Sequence, residues 1–343
     1  ITPKEEAGEA AGAAFYVRRS GNPRISSVEF ADFCIDGLHF TEDGSGNGDP
    51  ENTYINGKTG IYIAGAQDSF RITGMGLVYL EHGIISYQAD ALTIHDNFIA
   101  ECKSCIELRG AGQASKITDN LIGAGYNGYS IYARNFGGLL VTANNIFPRG
   151  ASSIHFEGVM RSSVTGNRFH SFQDDCSENL VSSNHFLRDH EPWPPMQAYD
   201  NGLDDLYGLL YISGNHNSII ANHISESIAA RYIKPSGAVP VIIHVAAGQG
   251  NYISSNHIVA STEAPGRMAQ EASGTQAGDS DPCFSAQVGA LLTARELQEL
   301  KVTAVLVERE AVHNTVLDSG YDGQVVMDRT VNGFRATPGP KWA

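Results

Sequence analysis

One short phrase returns along this chain: an apolar residue, two small or polar residues, Asn, any residue, then an apolar residue. It reads IHDNFI around Asn97, ITDNLI around Asn120, VTANNI around Asn144 and VTGNRF around Asn167. It comes back as VSSNHF around Asn184, IIANHI around Asn222, ISSNHI around Asn256 and AVHNTV around Asn314. The first three intervals are 23, 24 and 23 residues. A repeat of that length is one rung of a solenoid that cannot bury its own apolar face and must stack on its neighbours. The phrase predicts a single all-β domain over 1–343, a single-stranded parallel β-helix of about 23 residues per rung. Its hand should be right, by the general chirality of parallel crossovers. Asn suits the recurring bend because it tolerates the left-handed backbone, and its amide can bond the next Asn in a ladder.

Breaks in the period mark insertions, which we place at 41–57, 187–206, 226–240 and 262–305. The last is Gly-, Ser- and acid-rich and reads as a loop able to cover a cleft, with Gln270, Gln276, Asp279 and Asp281 as its polar candidates. Within it TARELQEL reads as a short helix, with Thr293 and Glu296 as a capping box.

Composition narrows the partners. A net charge of −15 argues against nucleic acid and against an anionic membrane surface, and no apolar run is long enough to cross a bilayer. A neutral sugar meets no such conflict. The 37 Gly and 18% charged residues suit short strands and tight turns. Five cysteines (34, 102, 105, 176 and 283) are an odd number, so no disulfide framework is expected. Cys102 and Cys105 form a lone C-x-x-C, which reads as two reduced thiols, because zinc needs a second pair or histidines at ligand spacing. DGSGNGD at 43–49 falls short of a calcium loop, since Tyr54 stands where the closing Glu belongs. His185, His223 and His257 each follow a repeat Asn and read as rung-surface residues. No cofactor or metal is implied, and P-loop, Rossmann and G-x-S-x-G motifs are missing.

Alternate strand residues point in and out. In CIEL, Ile106 and Leu108 point inward, so Glu107 points out. SIYA and SIHF put Tyr132 and His155 outward above it, and GIYI places Tyr62 on the same column. Flat rings beside a carboxylate can hold a sugar, although such a column also suits an ordinary surface or a subunit contact. Asp96 lies eleven residues before Glu107, about half a rung away. The two therefore occupy neighbouring faces of one coil or meet across subunits. Glu81, Glu101, Asp204 and Asp205 are further carboxylates, while Asp119 reads as a bend residue. Tyr79 in VYLEHG and Arg149 in FPRG complete the candidate substrate contacts. Glycosidic cleavage typically needs two carboxyl groups, one to protonate the leaving oxygen and one to assist the nucleophile.

KTGIYIAGAQDSFRITGMGLVYLEHG, ADALTIHDNFIAECKSCIELRGAGQA, GLLVTANNIFPRG and NGLDDLYG resemble the inulin fructotransferases, a bacterial β-helix family. The likeness runs from about Ala14 to Val259 and resumes near HNTVLDSG. It implies a homotrimer with sites between subunits and a catalytic pair at Asp96 and Glu107. It also implies cleavage of a fructosyl bond at ketose C2. The family turns the end of inulin into a difructose anhydride, and close relatives hydrolyse difructose anhydride III to inulobiose. Against the family pattern the chain starts late and its 262–305 insertion is long. A small closed disaccharide can be covered and dried by a lid, whereas a polymer end needs an open cleft. The hydrolase is therefore the first expectation and the transferase the second, ahead of a catalytically silent sugar-binding β-helix. The hydrolase would suit the cytoplasm and the transferase secretion. The opening ITPKEEAGEAAGAAF has neither an initiator Met nor a signal-peptide pattern and does not decide between them.

Overall fold

The computed structural model describes residues 12–18, 24–37, 56–65, 67–124, 128–146, 152–169, 172–189, 210–229, 241–263, 303–307, 311–312, 315–317 and 335–337. Every regular element among them is a strand, and every strand pair is parallel. The strands stack into three long sheets, one per face of a coil. The first face runs through Ala13–Arg18, Thr59–Ala64, His82–Tyr87, Ser104–Arg109, Tyr129–Arg134, Ser152–Met160, Phe172–Ser177, Leu210–Ile212, Val241–Val245 and Thr303–Val307. The second face begins at Glu29–Ala31 and the third at Cys34–Asp36, and each gains one strand per coil. The chain is a parallel β-helix.

Stacking follows from the inward residues. On the first face Ile61, Ile84, Ile106, Ile131 and Ile154 lie in register and are fully buried. Ile72, Ile94, Ile117, Val141 and Val164 do the same on the second, and Leu77, Ile99, Ile122 and Ile146 on the third. β-branched side chains stiff at χ1 suit such columns.

The repeat Asn sits at the bend between second and third faces, and its job differs from the one its conformational tolerance suggests. The left-handed residue is the one before it: Asp96 (φ 54°), Asp119 (59°), Ala143 (55°), Gly166 (64°), Ser183 (55°), Ala221 (53°) and Ser255 (55°). Asn97 is instead buried, and its backbone N–H and Nδ2 both donate to Asn120 Oδ1, at 3.0 and 2.8 Å. Its second Nδ2 hydrogen goes to Ile72 O at 2.9 Å. The pattern repeats through Asn144, Asn167, Asn184, Asn222 and Asn256. An L-residue in the left-handed region costs about 1–2 kcal/mol, and the ladder bonds, each worth about 1 kcal/mol net, offset it.

Two coils precede the first repeat Asn, and Phe33 and Met75 hold its position there, so the phrase misses them. A second ladder lies at the bend between first and second faces, built from Asn179, Asn217 and Asn251. It is continued by Ser162 and Ser115, whose hydroxyls accept from Leu139 N and Leu92 N. It escapes the phrase because Leu92, Ser115, Leu139 and Ser162 hold that position in the earlier coils.

Four insertion boundaries need correction. The third face continues through His185–Asp189, His223–Ala229 and His257–Glu263, which pair residue for residue. The first residues of the ranges starting at 187, 226 and 262 are therefore strand, and the outgrowths start later. Residues 303–305 belong to the first-face strand Thr303–Val307, so the last outgrowth also ends earlier. Residues 190–206, 230–240 and 264–302, most of 41–57 and the TARELQEL helix lie outside the described residues.

A ladder amide cannot be replaced without orphaning buried partners. Asn120→Ala should lower unfolding free energy by about 2–3 kcal/mol, the scale of a buried polar group left unpaired. The shift of the urea midpoint measures it, and an unchanged midpoint would mean the amides are redundant with core packing.

Candidate active site

The first face carries the chemistry, because its outward columns hold polar and aromatic residues. In register they read Tyr62, Ile85, Glu107, Tyr132 and His155. Ile85 thus separates Tyr62 from Glu107, and Tyr62 is two coils away rather than one. The next outward column passes through Tyr87, Arg109, Arg134 and Glu157.

Glu107 points away from the core yet is only 4% exposed. Its Oε1 lies 2.5 Å from His82 Nδ1. Its Oε2 accepts from Arg109 Nε at 2.9 Å and also from Arg109 Nη2. Burial works to raise the carboxyl's pKa, but the His82 hydrogen bond and charge, with Arg109, outweigh it and hold Glu107 below the usual range. His82 Nε2 in turn faces Glu81 Oε1 at 3.8 Å. Glu81 accepts from Lys103 Nζ at 3.0 Å and from Gly57 N at 2.9 Å. Burial opposes its ionisation too, and these donors prevail, so its pKa is also lowered.

Across the face, Glu157 accepts from Tyr132 Oη at 3.1 Å and lies 3.2 Å from His155 Nε2 and 3.4 Å from Arg134 Nε. Burial, the bond to Glu157 and its negative charge push Tyr132 up to about 12. Burial, Glu157 and Glu107 raise Tyr129. Both phenols therefore stay donors at neutral pH. The rings of Tyr129, Tyr132 and His155 lie 5.0–5.7 Å apart, a stacked wall. Tyr87, Glu107, Arg109, Gly110, Tyr129, Tyr132, Arg134, Asn135 and Glu157 line a pocket of about 540 Å³. That volume is in the range of about 300–1,000 Å³ usual for small-molecule sites.

Of the candidates read from sequence, Glu107, Tyr132, His155 and, behind His82, Glu81 come together here. Tyr79 takes a left-handed bend (φ 56°) before Glu81 and is not among the pocket-lining residues. Asp96 is exposed at the bend between second and third faces, away from the pocket. Glu101 (φ 53°) lies within the strand Phe98–Cys102, where the register to the next coil shifts, and Asp119 is a bend residue 3.4 Å from His95. Arg149, Asp204, Asp205, Gln270, Gln276, Asp279 and Asp281 lie outside the described residues. The buried thiols of Cys102 and Cys105 are free.

Sequence reasoning missed His82, Arg109, Tyr129, Arg134 and Glu157. Arg109, Arg134 and Glu157 stand two residues after Glu107, Tyr132 and His155, so strand alternation could have found them. His82 and Tyr129 sit three residues before their column, at the strand starts, and no alternation reaches them.

These features define a class: a parallel β-helix with a buried, cation-bound carboxylate under an aromatic wall on one face. A family model described as "Beta helix repeat of Inulin fructotransferase" matches residues 183–338. One described as "Periplasmic copper-binding protein (NosD)" matches 12–193, the earlier coils. Among the described residues no group of three or more His, Cys, Asp or Glu is placed to hold a metal. The DFA-I-forming inulin fructotransferase of Arthrobacter globiformis is 42% identical over 262 residues, 73% of this chain and 63% of the relative. The chain thus spans less than two thirds of that protein's length.

Solved structures come nearer. The DFA-IIIase of Arthrobacter chlorophenolicus A6 in complex with GF2 is 60% identical, with a TM-score of 0.79 over 97% of this chain and 75% of that one. The same enzyme in complex with DFA-III is 60% identical, with a TM-score of 0.78 over 98% and 74%. Solved without its lid, it is 58% identical, with a TM-score of 0.78 over 97% and 73%. The chain belongs to the inulin fructotransferase family and is similar to this DFA-IIIase.

The ion pairs tie stability to pH. Glu107 and Glu81 have folded pKa values below 4.5, so their contribution is complete above about that pH and is lost as pH falls through the lowered values. The unfolding midpoint should drop on acidification below about pH 4.5, and Glu107→Gln should flatten that drop. Parallel curves for wild type and variant would show that Glu107 is not held ionised.

Proposed function

We propose that this chain is a carbohydrate-active enzyme that cleaves a fructosyl linkage at ketose C2, hydrolysing difructose anhydride III to inulobiose. The observation that carries the reading is Glu107, an ionised carboxylate beneath a stacked aromatic wall in a pocket sized for a small sugar. Identity of 60% over nearly the whole chain with a DFA-IIIase solved in complex with DFA-III supports the hydrolase. The 42% relative that forms DFA-I supports fructotransferase action on inulin as the second reading.

In this reading Tyr129, Tyr132 and His155 cover a fructosyl ring with their faces, and Glu157 accepts one of its hydroxyls. Glu107 acts on the departing oxygen and Asp96 supplies the complementary carboxylate, orienting or deprotonating the attacking water. Tyr79, Arg149, Asp204 and Asp205 remain proposed substrate contacts. The 262–305 segment, with Gln270, Gln276, Asp279 and Asp281, remains a proposed lid over the single domain, in keeping with the lid named for the A. chlorophenolicus enzyme.

Asp96 and Glu107 occupy different parts of one coil, a bend between second and third faces against a strand of the first. This separation favours a homotrimer in which a neighbouring subunit supplies one of the two. The site so formed would take a fructo-oligosaccharide or difructose anhydride, with neither nucleic acid nor membrane as partner.

Incubation with difructose anhydride III and with inulin, followed by chromatography, should give inulobiose from the first and little product from the second. Difructose anhydride released from inulin would favour the transferase, and no product from either would remove the enzyme reading. Asp96→Asn and Glu107→Gln should each reduce turnover at least about a hundredfold.

Subunit sharing has its own test. If protomers of the two inactive variants mix at random in a cyclic trimer, about a quarter of the sites pair two intact carboxylates. Co-refolded variants should then regain about that share of activity, and mixtures as inactive as their components would place both groups in one subunit.

A further inference from the structure

Glu107 presents a difficulty for acid catalysis. A carboxyl that protonates a leaving oxygen must carry a proton when the bond breaks. Here the His82 and Arg109 contacts outweigh burial and favour the charged carboxylate. The proton must therefore be kept elsewhere, close enough to arrive in time. One group meets that requirement. His82 is 7% exposed, and its Nδ1 stands 2.5 Å from Glu107 Oε1. A contact of that length between two electronegative atoms requires a proton between them.

We propose that His82 is the proton-holding and positioning residue of this site, keeping the acid's proton on Nδ1 and passing it to Glu107 as the leaving oxygen departs. This inference rests on the hydrolase reading above. The surrounding groups fit it. Glu81 Oε1 stands 3.8 Å from Nε2, so the ring has a carboxylate facing each nitrogen. Lys103 binds Glu81 at 3.0 Å and fixes that far carboxylate. Arg109 occupies Glu107 Oε2, which leaves Oε1 as the oxygen that receives the proton. From the next coil Tyr129 feels the Glu107 charge, and from the preceding one Lys58 offers its backbone carbonyl to His82 N at 3.1 Å.

The step balances. The His82 Nδ1–H bond breaks and a Glu107 O–H bond forms. That O–H then breaks as the bridge oxygen takes the proton and the C2–O bond parts. Water adds its oxygen to C2 and gives its proton to the complementary carboxylate, from which it returns through solvent to His82. Net consumption is one water per anhydride. His82 never touches the sugar, and its effect runs through Glu107.

His82→Gln keeps a hydrogen-bond donor beside Glu107 but cannot store a titrating proton. Turnover of difructose anhydride III should fall at least about tenfold, with KM changed less than about twofold. The alkaline limb of kcat against pH should move at least about one unit toward acid, because Glu107 must then hold the proton unaided. A merely structural His82 would lower kcat evenly across pH or leave it alone, and a profile superimposable on wild type overturns the proposal.

A second measurement needs no variant. In 15N-histidine-labelled wild type at the activity optimum, His82 should show both ring nitrogens protonated. A neutral ring there also overturns the proposal. Glu107→Gln separates the two levels: if it abolishes turnover while His82→Gln keeps the wild-type profile, this inference alone fails. If Glu107→Gln stays active, the role given to Glu107 fails with it, whereas the hydrolase reading fails only if wild type yields no inulobiose from difructose anhydride III.

Discussion

The buried amide ladder is the interaction on which the rest of this structure depends. Each inner ladder Asn, as at Asn120, uses both lone pairs of Oδ1 and both Nδ2 hydrogens, so it joins three consecutive coils at the second bend. This fixes the register of every strand that follows, because a slip by one residue would turn apolar side chains to solvent and orphan buried amides. The ladder also tolerates variety beside it. Asp, Ala, Ser and Gly all occupy the left-handed position before the Asn, since hydrogen bonds rather than backbone preference hold the bend.

A coil stacked so rigidly turns sequence position into spatial position. Outward residues in successive coils sit one above another. Glu107, Tyr132 and His155 form one column, and Arg109, Arg134 and Glu157 the next. Within these columns the electrostatics are matched pairwise. His82 and Arg109 hold one carboxylate, and two rings and a guanidinium converge on the other. A preorganised charged pocket of this kind needs no rearrangement at the moment of reaction, which is where electrostatic stabilisation acts most strongly. Asp96 takes no part in that pocket. Its exposed position on another side of the coil is the geometrical reason for looking to a second subunit.

Relatives and geometry bear on different questions. Likeness to the DFA-IIIases extends along almost the whole chain and settles family. The division of labour between groups that bind sugar and groups that move protons comes from contacts around Glu107, which no family resemblance supplies.

The sequence by itself determined the coil, its period, its apolar columns and the outward direction of Glu107, Tyr132 and His155, because a periodic backbone maps spacing directly onto faces. It also carried the family likeness, in long stretches such as ADALTIHDNFIAECKSCIELRGAGQA. It did not reveal the Ser-to-Asn second ladder, where two residue types share one role, nor the coils in which Phe33 and Met75 replace Asn. Only the tertiary structure decided that Glu107 is buried, that His82 and Arg109 hold it, and that Glu157 closes the opposite wall. The His82–Glu107 contact joins residues 25 apart in sequence, and it depends on where the strand His82–Tyr87 starts after its bend. That offset is set by packing against the neighbouring coils, and strand alternation carries no record of it.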